Sequence, residues 1–455
     1  MTVRAAVILA AGQGTRMRSA LPKVLHPIGG KPVLDHTIAL AQELGCALVQ
    51  CVVSPRSEDL KSHVTEALGP DGLVVQNEPL GTAHAVLSAR DMLADHDGHL
   101  IVLYGDSPLI RSETIEALFS ELETGADLGV LGFEAEEPGM YGRLITGANG
   151  DLEAIVEARD ATPEQLSVRL CNSGVMAGDA RTVLRLLDKV DNKNAKGEYY
   201  LTDLVGLARA EGLVCRAVVA DEAELMGCDT RADLAAAEAV FQGWARQAAL
   251  EAGVTLIDPA TVWFSHDTEL GEDVTVEPNV VFGLAVRVGQ GTVIKAFSHI
   301  EGAVIGENCS IGPHARLRPG TELKAGVKIG NFVEVKKTVM GEGSKASHLS
   351  YLGDGIIGAN VNLGAGTIFC NYDGYFKYQT NIEDGAFVGS NAALVAPITI
   401  GKDAFVGSGS VVTEDVASGS LAIGRARQTG KDGWATTFHA EMAARKKEEK
   451  KTKKG

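Results

Sequence analysis

A glycine-rich segment near the N-terminus carries two cations at a spacing suited to phosphate chemistry. Leu9 to Met17 follows a strand-like run, contains Gly12, Gly14 and Arg16, and is succeeded by Lys23. Glycines let backbone N–H groups approach an anion closely, and the two cations supply the charge that a pyrophosphate leaving group requires. The segment lacks the third glycine of a dinucleotide-binding fingerprint and the Gly-Lys-Ser/Thr ending of a P-loop. Taken alone, it is equally compatible with a plain strand-to-helix turn.

A second concentration of polar residues lies in the C-terminal half. The segment from Glu334 to Asp354 contains His348, and Asn371 to Gly374 begins a loop that ends near Asn381. An imidazole titrates near neutral pH, and as a general base it accelerates a proton-transfer step by about 10²–10⁴-fold. His348 is therefore the candidate general base. A surface histidine bonded to a neighbouring coil is the alternative that its residue type alone leaves open.

The elements that must position this second group form a six-residue repeat. Between Leu270 and Val412 an apolar residue recurs at nearly every sixth position, which fits neither an α-helix nor an alternating strand. The repeated residues, called guides below, are Leu270, Val276, Phe282, Val288, Ile294, Ile300, Ile305, Ile311, Leu317, Leu323, Ile329, Val335, Ile357, Leu363, Phe369, Ile382, Val388, Leu394, Ile400, Val406 and Val412. Glycine follows several guides, so each short strand meets a tight corner. The pattern predicts a hexapeptide solenoid of roughly seven coils, interrupted after Val335 and after Phe369.

The first half of the chain has a different rhythm, in which apolar strand-like runs alternate with amphipathic or alanine-rich segments. Ala6 to Ala10, Ala47 to Val53 and Leu100 to Leu103 are examples of these runs. The alternation predicts βα units around a mostly parallel sheet. Arg231 to Ala252 is rich in Ala, Glu and Leu with apolar residues on one helical face, and we expect a helical linker there.

Composition limits the class of protein. With 455 residues, 45% apolar residues and 53 glycines, the chain is expected to be globular and to form two domains. A formal net charge of −17 disfavours a nucleic-acid partner. The seven cysteines show neither CxxC nor His/Cys ligand spacing, which disfavours a zinc site or disulfide framework and favours a reducing cytoplasm. We find no export signal or membrane-spanning run and expect no membrane partner.

The motifs of the first half occur in the order and spacing of a known family. After Leu9 to Met17 and Pro22-Lys23, which resemble the signature of sugar-nucleotide pyrophosphorylases, come Gly29-Gly30-Lys31-Pro32, Gln76, Leu80-Gly81-Thr82-Ala83, Tyr104-Gly105-Asp106, Tyr141-Gly142-Arg143, Ile155-Val156-Glu157, Asn172-Ser173-Gly174 and Gly197 to Asp203. With the solenoid behind them, the series resembles the bifunctional N-acetylglucosamine-1-phosphate uridyltransferase and glucosamine-1-phosphate acetyltransferase family. The resemblance covers almost the whole chain except the charged tail. It implies a Rossmann-like α/β nucleotidyltransferase domain, a helical linker and a left-handed parallel β-helix, an exception to the usual right-handed crossover.

For the first domain, the resemblance implies a site for UTP and UDP-N-acetylglucosamine. Its residues would be Leu9, Ala10, Ala11, Gly12, Gly14, Thr15, Arg16, Lys23, Gln76, Gly81, Thr82, Tyr104, Gly105, Asp106, Gly142, Glu157, Asn172 and Asp229. Asp106 and Asp229 would hold Mg²⁺, to which carboxylate oxygens are suited. The second metal ligand of the family is usually Asn, and this sequence departs from that pattern at Asp229. A second carboxylate should strengthen ion binding while adding a negative charge beside the phosphates.

For the second domain, the resemblance implies an acetyltransferase site with His348 as its catalytic residue. Glucosamine-1-phosphate would be bound by Arg318, Lys336, Tyr351 and Asn362, with the two cations serving its phosphate. Acetyl-CoA would contact Ala365, Asn371, Tyr372, Ser390, Ser408 and Arg425.

The implied enzyme is a bifunctional transferase. Glucosamine-1-phosphate would be acetylated first, and the product would then take UMP from UTP, releasing pyrophosphate and giving UDP-N-acetylglucosamine for cell-wall and lipopolysaccharide synthesis. We expect a cytoplasmic homotrimer with a uridyltransferase domain at 1–230, the linker at 231–252, an acetyltransferase domain at 253–434 and a charged, disordered tail at 435–455. Two alternatives stay open: a pyrophosphorylase whose β-helix is regulatory, and a trimerisation scaffold with a degenerate N-terminal domain.

Overall fold

The computed structural model describes residues 2–194 and 196–452, and contacts within the chain divide it into two compact units. One unit runs to Glu269 and also includes Val281–Ala285, whereas the other comprises Leu270–Val280 and the chain from Val286 onward. The first is an α/β unit and the second is a parallel β-helix.

A nine-stranded mixed sheet forms the centre of the first unit. Strands β1 to β11 are Arg4–Ala10, Pro27–Ile28, Lys31–Pro32, Leu48–Val53, Leu73–Val75, His99–Tyr104, Leu128–Glu134, Arg143–Thr146, Leu152–Val156, Leu170–Asp179 and Cys215–Ala220. The order across the sheet is β11-β7-β10-β6-β1-β4-β5, with β8 and β9 attached beside β10 and with β2 and β3 forming a separate pair. Strand β10 runs antiparallel to β6 and β7, and the other neighbours on the main path are parallel.

Helices cover both faces of this sheet. Helices α1 to α8 are Val33–Glu43, Glu58–Leu68, Thr82–Leu87, Arg90–Leu93, Ser112–Glu123, Pro163–Leu166, Ala180–Leu187 and Asp203–Ala210. The central strand β1 explains why two layers are needed, because Ala6 and Ile8 pack into one core cluster while Val7 and Leu9 pack into another. An apolar run without polar alternation is the pattern expected of a strand buried on both faces.

Parallel pairing of β1 with β6 brings the ends of two motifs together. Leu9 lies opposite Tyr104, and the backbone N–H of Gly105 donates to the carbonyl oxygen of Leu9 at 3.0 Å. Ligands of open α/β sheets bind outside the carboxyl ends of the strands. The glycine-rich segment and Asp106 therefore emerge at the edge of the sheet where a site is expected.

Helix α9 spans Arg231–Glu251 and begins with a capping box in which Thr230 and Asp233 exchange side-chain to backbone hydrogen bonds. Its residues Leu234, Phe241 and Trp244 pack against a small cluster of the α/β unit. The helix is therefore part of the first unit and not a free linker. The contact boundary lies near Glu269, later than the boundary predicted from the sequence, because this apolar face packs against its own unit.

The β-helix is built from two- to seven-residue strands. Strands β12 to β35 are Thr255–Leu256, Glu269–Leu270, Thr275–Val276, Val281–Phe282, Arg287–Val288, Val293–Ile294, His299–Ile300, Ala303–Ile305, Ser310–Ile311, Arg316–Leu317, Thr321–Leu323, Lys328–Asn331, Glu334–Met340, Lys345–His348, Tyr351–Ile357, Asn362–Leu363, Ile368–Cys370, Thr380–Ile382, Phe387–Val388, Ala393–Val395, Ile398–Ile400, Phe405–Val406, Val411–Val412 and Leu421–Ala422. Ile294 pairs with Ile311, 17 positions later, and Ile311 pairs with Ile329, 18 positions later. Three hexapeptides therefore complete one coil. Every predicted guide except Leu270 is buried.

The prediction that the repeat is interrupted after Val335 is wrong. Met340, Ala346 and Leu352 are fully buried between the guides Val335 and Ile357, so the coils continue through this segment. The sequence pattern hides them because the repeat slips by one residue and because Ala346 is too small to stand out as a guide. The chain does leave the coil later, since Leu363 pairs with Val388, 25 positions onward, which accommodates an inserted loop.

One corner of the β-helix carries large side chains in the left-handed backbone region. Phe297, His314, Phe332 and Leu349 have φ values of 61°, 55°, 57° and 52°. Their positions stack coil upon coil, with 5.0 Å between the ring centroids of Phe297 and His314 and again between those of His314 and Phe332. We call these four residues the aromatic ladder. Bulky residues with positive φ are uncommon because the backbone is strained.

The charged tail is helical in the described residues. Helix α10 spans Trp434–Thr452, which corrects the expectation of disorder there, and residues 453–455 lie outside the described part of the chain. Ala, Glu, Lys, Arg and Met have high helix propensity, so a segment whose residues 434–451 are all exposed still satisfies its backbone as a helix. Among residues 2–194 and 196–452, no helix combines the length and apolar character required to cross a bilayer.

Candidate active sites

A cavity of about 780 Å³ opens at the carboxyl ends of β1 and β6. Of the 18 residues predicted for the nucleotide site, 14 line it, namely Leu9, Ala10, Ala11, Gly12, Arg16, Lys23, Gln76, Gly81, Thr82, Tyr104, Asp106, Gly142, Glu157 and Asn172. A volume of this size lies within the usual range for small-molecule sites. The structure thus brings together residues that lie between positions 9 and 172 of the sequence.

Two cations and two carboxylates form a network at this cavity, and of these Arg16, Lys23 and Asp106 line it whereas the predicted ligand Asp229 does not. The Lys23 ammonium forms an ion pair with Asp106 and lies 3.0 Å from Oδ1 of Asp229. Arg16 lies 2.8 Å from Oδ2 of Asp229 and remains largely exposed. Burial acts to lower the pKa of Lys23, but the two carboxylates outweigh it and raise that pKa. Burial acts to raise the pKa of Asp229, but Lys23 and Arg16 outweigh it and lower that pKa.

The glycine-rich turn is shaped around Lys23. Gly14 has a φ of 59°, and a Cβ atom there would lie 2.8 Å from the Cβ of Lys23. The turn leads into a short 3₁₀ helix, Thr15–Met17, which carries Arg16. Gly14 and Thr15 do not line the cavity themselves, and they act by shaping this turn. Gly105 does not line it either, although its N–H joins the ends of β1 and β6.

Gly81 and Thr82, which also line the cavity, contact a segment from later in the chain. Gly81 has a φ of 117°, and a Cβ atom there would lie 2.4 Å from the carbonyl oxygen of Tyr199. The N–H of Tyr199 donates to the carbonyl of Leu80 at 2.8 Å, and the N–H of Leu201 donates to Oγ1 of Thr82 at 3.0 Å. The motif from Gly197 to Asp203 therefore holds Gly81 and Thr82 in place.

Three residues predicted for the UDP-N-acetylglucosamine site, Gly142, Glu157 and Asn172, converge around β8, β9 and β10. The N–H of Asn172 donates to the carbonyl of Gly142 at 2.8 Å, and the Cβ position of Gly142 is 3.7 Å from Oε1 of Glu157. Arg159 and Lys196 also line the cavity and were missed by sequence reasoning. Their loops carry no strand or helix pattern that could have placed them there.

In the β-helix, His348 lies at the end of β25 beside the preceding coil. Its Nδ1 is 2.6 Å from Oδ1 of Asn331, which pairs with it across β23 and β25. Because an amide oxygen only accepts, this orientation of Asn331 favours the tautomer with its proton on Nδ1 and a lone pair on Nε2. Sequence reasoning missed Asn331, although its position 17 residues before His348 equals one coil of the repeat.

Cations gather at β24, the strand that precedes β25 and His348 in the sequence. Arg318 donates to Oε1 of Glu334 at 2.7 Å, and the Nε atom of Arg318 is buried without a hydrogen-bond partner. Lys377 lies within hydrogen-bonding reach of Lys336 and lowers its pKa, as does the more distant charge of Arg318. Lysine side chains that repel one another across an exposed surface provide an attractive site for a phosphate. Lys377, which lies within the inserted loop opposite Tyr372, was also missed.

The inserted loop is organised by its own side chains. Asp373 Oδ1 accepts from the N–H groups of Tyr375 and Phe376 at 2.7 Å each. Asn371 is buried at the base of the loop and donates to Asp354 at 2.5 Å. Tyr372 is exposed at the surface beside it.

The predicted glucosamine-1-phosphate residues Tyr351 and Asn362 occupy neighbouring strands. Tyr351 pairs with Glu334 on β24, and Asn362 pairs with Lys345 on the strand that carries His348. A Cβ atom at Gly353 would lie 2.4 Å from the hydroxyl of Tyr351 and 2.8 Å from Nδ2 of Asn371. The tyrosine and the base of the loop therefore lie side by side.

The remaining residues predicted to contact acetyl-CoA follow one corner of the last coils. The N–H of Asn391 donates to the carbonyl of Ala365, and that of Gly409 donates to the carbonyl of Ser390, both at 2.7 Å. Ser408 precedes Gly409, whose Cβ position is 3.8 Å from the side chain of Arg425. An extended ligand laid along this corner would meet these residues in turn.

Comparison with known proteins places both units in described families. Residues 6–168 match the MobA-like NTP transferase domain, and residues 302–337 and 379–414 match the bacterial transferase hexapeptide repeat. Relatives named bifunctional protein GlmU are 60% identical in Hyphomonas neptunium, 53% in Caulobacter vibrioides and 51% in Paramagnetospirillum magneticum. These similarities cover 97%, 99% and 97% of this chain and 96%, 97% and 98% of the relatives. The chain belongs to the GlmU family.

Membership of the GlmU family confirms the predicted fold class and function. The chain combines an α/β nucleotidyltransferase domain with a left-handed parallel β-helix, and it is a transferase with uridyltransferase and acetyltransferase activities. It acts on small-molecule substrates, and its nucleotidyltransferase half implies a divalent metal ion. The two hexapeptide matches leave out residues 338–378 of the GlmU β-helix, a segment that contains His348 and most of the inserted loop.

We expect the imidazole of His348 to be protonated on Nδ1 when neutral, because the structure places the amide oxygen of Asn331, an acceptor, 2.6 Å from that nitrogen. Nitrogen NMR of labelled imidazoles at a pH above their titration should show Nε2 as the unprotonated nitrogen. Asn331→Ala should replace this single tautomer with a mixture, whereas Asn331→Asp retains an acceptor and should preserve it. An unchanged tautomer in Asn331→Ala would contradict the role of this contact.

Proposed function

We propose that the N-terminal cavity binds UTP and N-acetylglucosamine-1-phosphate and transfers UMP between them. The supporting observation is the convergence of 14 predicted residues on one cavity whose phosphate end holds Lys23 and Arg16. The same cavity is also lined by Gln76, Gly81, Thr82, Glu157 and Asn172. The cavity therefore offers separate surfaces to a base, a polyphosphate and a sugar.

The reaction needs no protein nucleophile. A phosphate oxygen of N-acetylglucosamine-1-phosphate forms a bond to the α-phosphorus of UTP, and the bond from that phosphorus to the β-phosphate bridging oxygen breaks. Pyrophosphate leaves with the electron pair. Lys23 and Arg16 neutralise the charge that develops on it, and the cavity wall aligns the two substrates.

Asp106 and Asp229 are the proposed holders of Mg²⁺. Their carboxylates converge on one ammonium group, that of Lys23, so two hard oxygen ligands already face a common point of positive charge. No cluster of three or more His, Cys, Asp or Glu ligands occurs within residues 2–194 and 196–452, so substrate phosphates and water must complete the shell. When bound, Mg²⁺ would neutralise phosphate charge and free Lys23 to meet the nucleotide.

His348 is the proposed general base of acetyl transfer. Its Nε2 accepts a proton from the amino group of glucosamine-1-phosphate, whose nitrogen bonds to the acetyl carbon as the bond from that carbon to the sulfur of CoA breaks. Arg318 and Lys336, together with Lys377, bind the sugar phosphate. Tyr351 and Asn362 position the sugar. The corner from Ala365 to Arg425, with Asn371 and Tyr372 of the inserted loop, binds acetyl-CoA.

The order of reactions places acetylation first and uridylylation second, giving UDP-N-acetylglucosamine for cell-wall and lipopolysaccharide synthesis. A cytoplasmic location is supported by the seven free cysteines, none of which is paired in the structure. The proposed division assigns uridyl transfer to residues 1–230 and acetyl transfer to residues 253–434.

A homotrimer is supported by the aromatic ladder. Phe297, Phe332 and Leu349 are 56%, 56% and 60% exposed despite their apolar character and strained backbone. Strain and exposure together favour a corner that is covered by a second copy of the chain. Leu349 directly follows His348, so a neighbouring copy at this corner would border the acetyltransferase site.

We expect two independent catalytic sites. His348→Ala should lower acetyl transfer by about 10²–10⁴-fold, the usual contribution of a general base, and leave uridyl transfer unchanged. Asp106→Ala should lower uridyl transfer and leave acetyl transfer unchanged. The measurements are CoA release from acetyl-CoA with glucosamine-1-phosphate, and pyrophosphate release from UTP with N-acetylglucosamine-1-phosphate.

The control is His299→Ala, an exposed histidine of the same β-helix. Acetyl transfer that persists undiminished in His348→Ala would exclude His348 as the base. Absence of CoA release from the unaltered chain would instead favour a regulatory β-helix.

Chelation should separate the two activities. Because the proposed metal ligands Asp106 and Asp229 belong to the uridyl-transfer site, EDTA should abolish pyrophosphate release and leave CoA release unaffected, and added Mg²⁺ should restore the former. Full uridyl transfer in excess EDTA would contradict the metal proposal, and restoration by Mn²⁺ alone would contradict the choice of Mg²⁺.

A charge within the ladder should dissociate the assembly. The unaltered chain should show about three times 47.7 kDa by light scattering, and Phe332→Asp should reduce this mass and acetyl transfer together while uridyl transfer persists. Phe332→Leu keeps an apolar surface and should remain trimeric. A monomeric parent chain, or a trimeric Phe332→Asp, would refute the ladder as the contact.

A further inference from the structure

The side-chain amide of Gln76 has only one orientation open to it. Gln76 follows β5, is 5% exposed and lines the nucleotide cavity. Its Nε2 donates to the carbonyl oxygen of Gly81 at 3.1 Å. A backbone carbonyl accepts hydrogen bonds and never donates them, so the amide must turn its NH₂ group towards Gly81. The reverse orientation would place two oxygens against each other.

His84 uses the second hydrogen of the same NH₂ group. Nδ1 of His84 is 3.1 Å from Nε2 of Gln76, and the direction of donation from the amide requires Nδ1 to accept. His84 belongs to α3, which starts directly after Gly81, so one helix start holds both acceptors. With both hydrogens committed, Oε1 of Gln76 is the remaining polar atom of the amide. It has no protein partner within residues 2–194 and 196–452.

An acceptor at this position distinguishes the two common pyrimidine bases. N3 of uracil carries a hydrogen and donates, whereas N3 of cytosine carries a lone pair and accepts. A fixed oxygen can therefore bond to N3 of uracil but repels N3 of cytosine. An unrestrained amide could rotate and offer its NH₂ group to cytosine instead, so discrimination depends on what prevents the rotation.

We propose that His84 is a positioning residue that fixes the Gln76 amide with its oxygen towards the base, and that the fixed oxygen selects uridine over cytidine nucleotides. The inference rests on the proposed function, because it takes the base of the nucleotide to bind beside Gln76. It adds a residue outside the predicted site and a reason for the choice of nucleotide.

The test is the ratio of kcat/KM for UTP to kcat/KM for CTP. His84→Leu removes the acceptor and should lower this ratio about tenfold, chiefly through loss of kcat/KM with UTP. Asn and Gln carry the same amide group on side chains of different length, so substitutions of His84 by these two residues form a matched pair. His84→Asn places an acceptor near the position of Nδ1 and should keep the ratio within about threefold, whereas His84→Gln places it near that of Nε2 and should not. This pair decides the question even if the leucine variant is unstable.

A double-variant cycle tests whether His84 acts through Gln76. Gln76→Leu should lower the ratio by itself, and adding His84→Leu should then change it no further. Additive effects of the two substitutions, or an equal fall of both kcat/KM values in His84→Leu, would show a merely structural role and overturn the proposal. An unchanged ratio in both His84→Leu and His84→Gln would overturn it as well. Uridyl transfer by the unaltered chain reports separately on the proposed function.

Discussion

Parallel strand pairing determines which residues become neighbours in both units. In the α/β unit, β1 and β6 end side by side, so the glycine-rich turn and Asp106 meet although 90 residues separate Arg16 from Asp106. In the β-helix, each coil places residues 17 or 18 positions apart next to each other, which is how Asn331 reaches His348. Burial of apolar residues holds these pairings in register, because a slip of one residue would turn the apolar side chains outward.

Local charge, and not net charge, suits this chain to anionic substrates. A protein of formal charge −17 repels polyphosphates at long range, yet Lys23 and Arg16 meet in one cavity and Arg318, Lys336 and Lys377 on one surface. Each cation cluster includes or adjoins a carboxylate, Asp106 and Asp229 in the first case and Glu334 in the second. These carboxylates hold the cations in position before a ligand arrives, which reduces the entropy lost on binding.

Much of this arrangement was predictable from residue type and spacing. The buried strands, the guides of the β-helix and most residues of the nucleotide cavity follow from apolar periodicity and from motifs that resemble a family. The prediction failed where the signal was weak. Ala346 is a guide too small to recognise, α10 is a polar segment with strong helix propensity, and α9 packs against its own unit through residues whose partners, such as Ile28 and Leu109, lie far away in the sequence.

Residue order was enough to indicate the class of chemistry, because Gly14, Arg16, Lys23, Asp106 and His348 stand in motifs that resemble a family of nucleotidyl and acetyl transferases. The state in which these groups are held follows from the folded chain. The tautomer of His348 depends on Asn331, and the orientation of the Gln76 amide depends on Gly81 and His84. Such choices are set by the direction of individual hydrogen bonds within about 3 Å, and residue order alone carries no information about that direction.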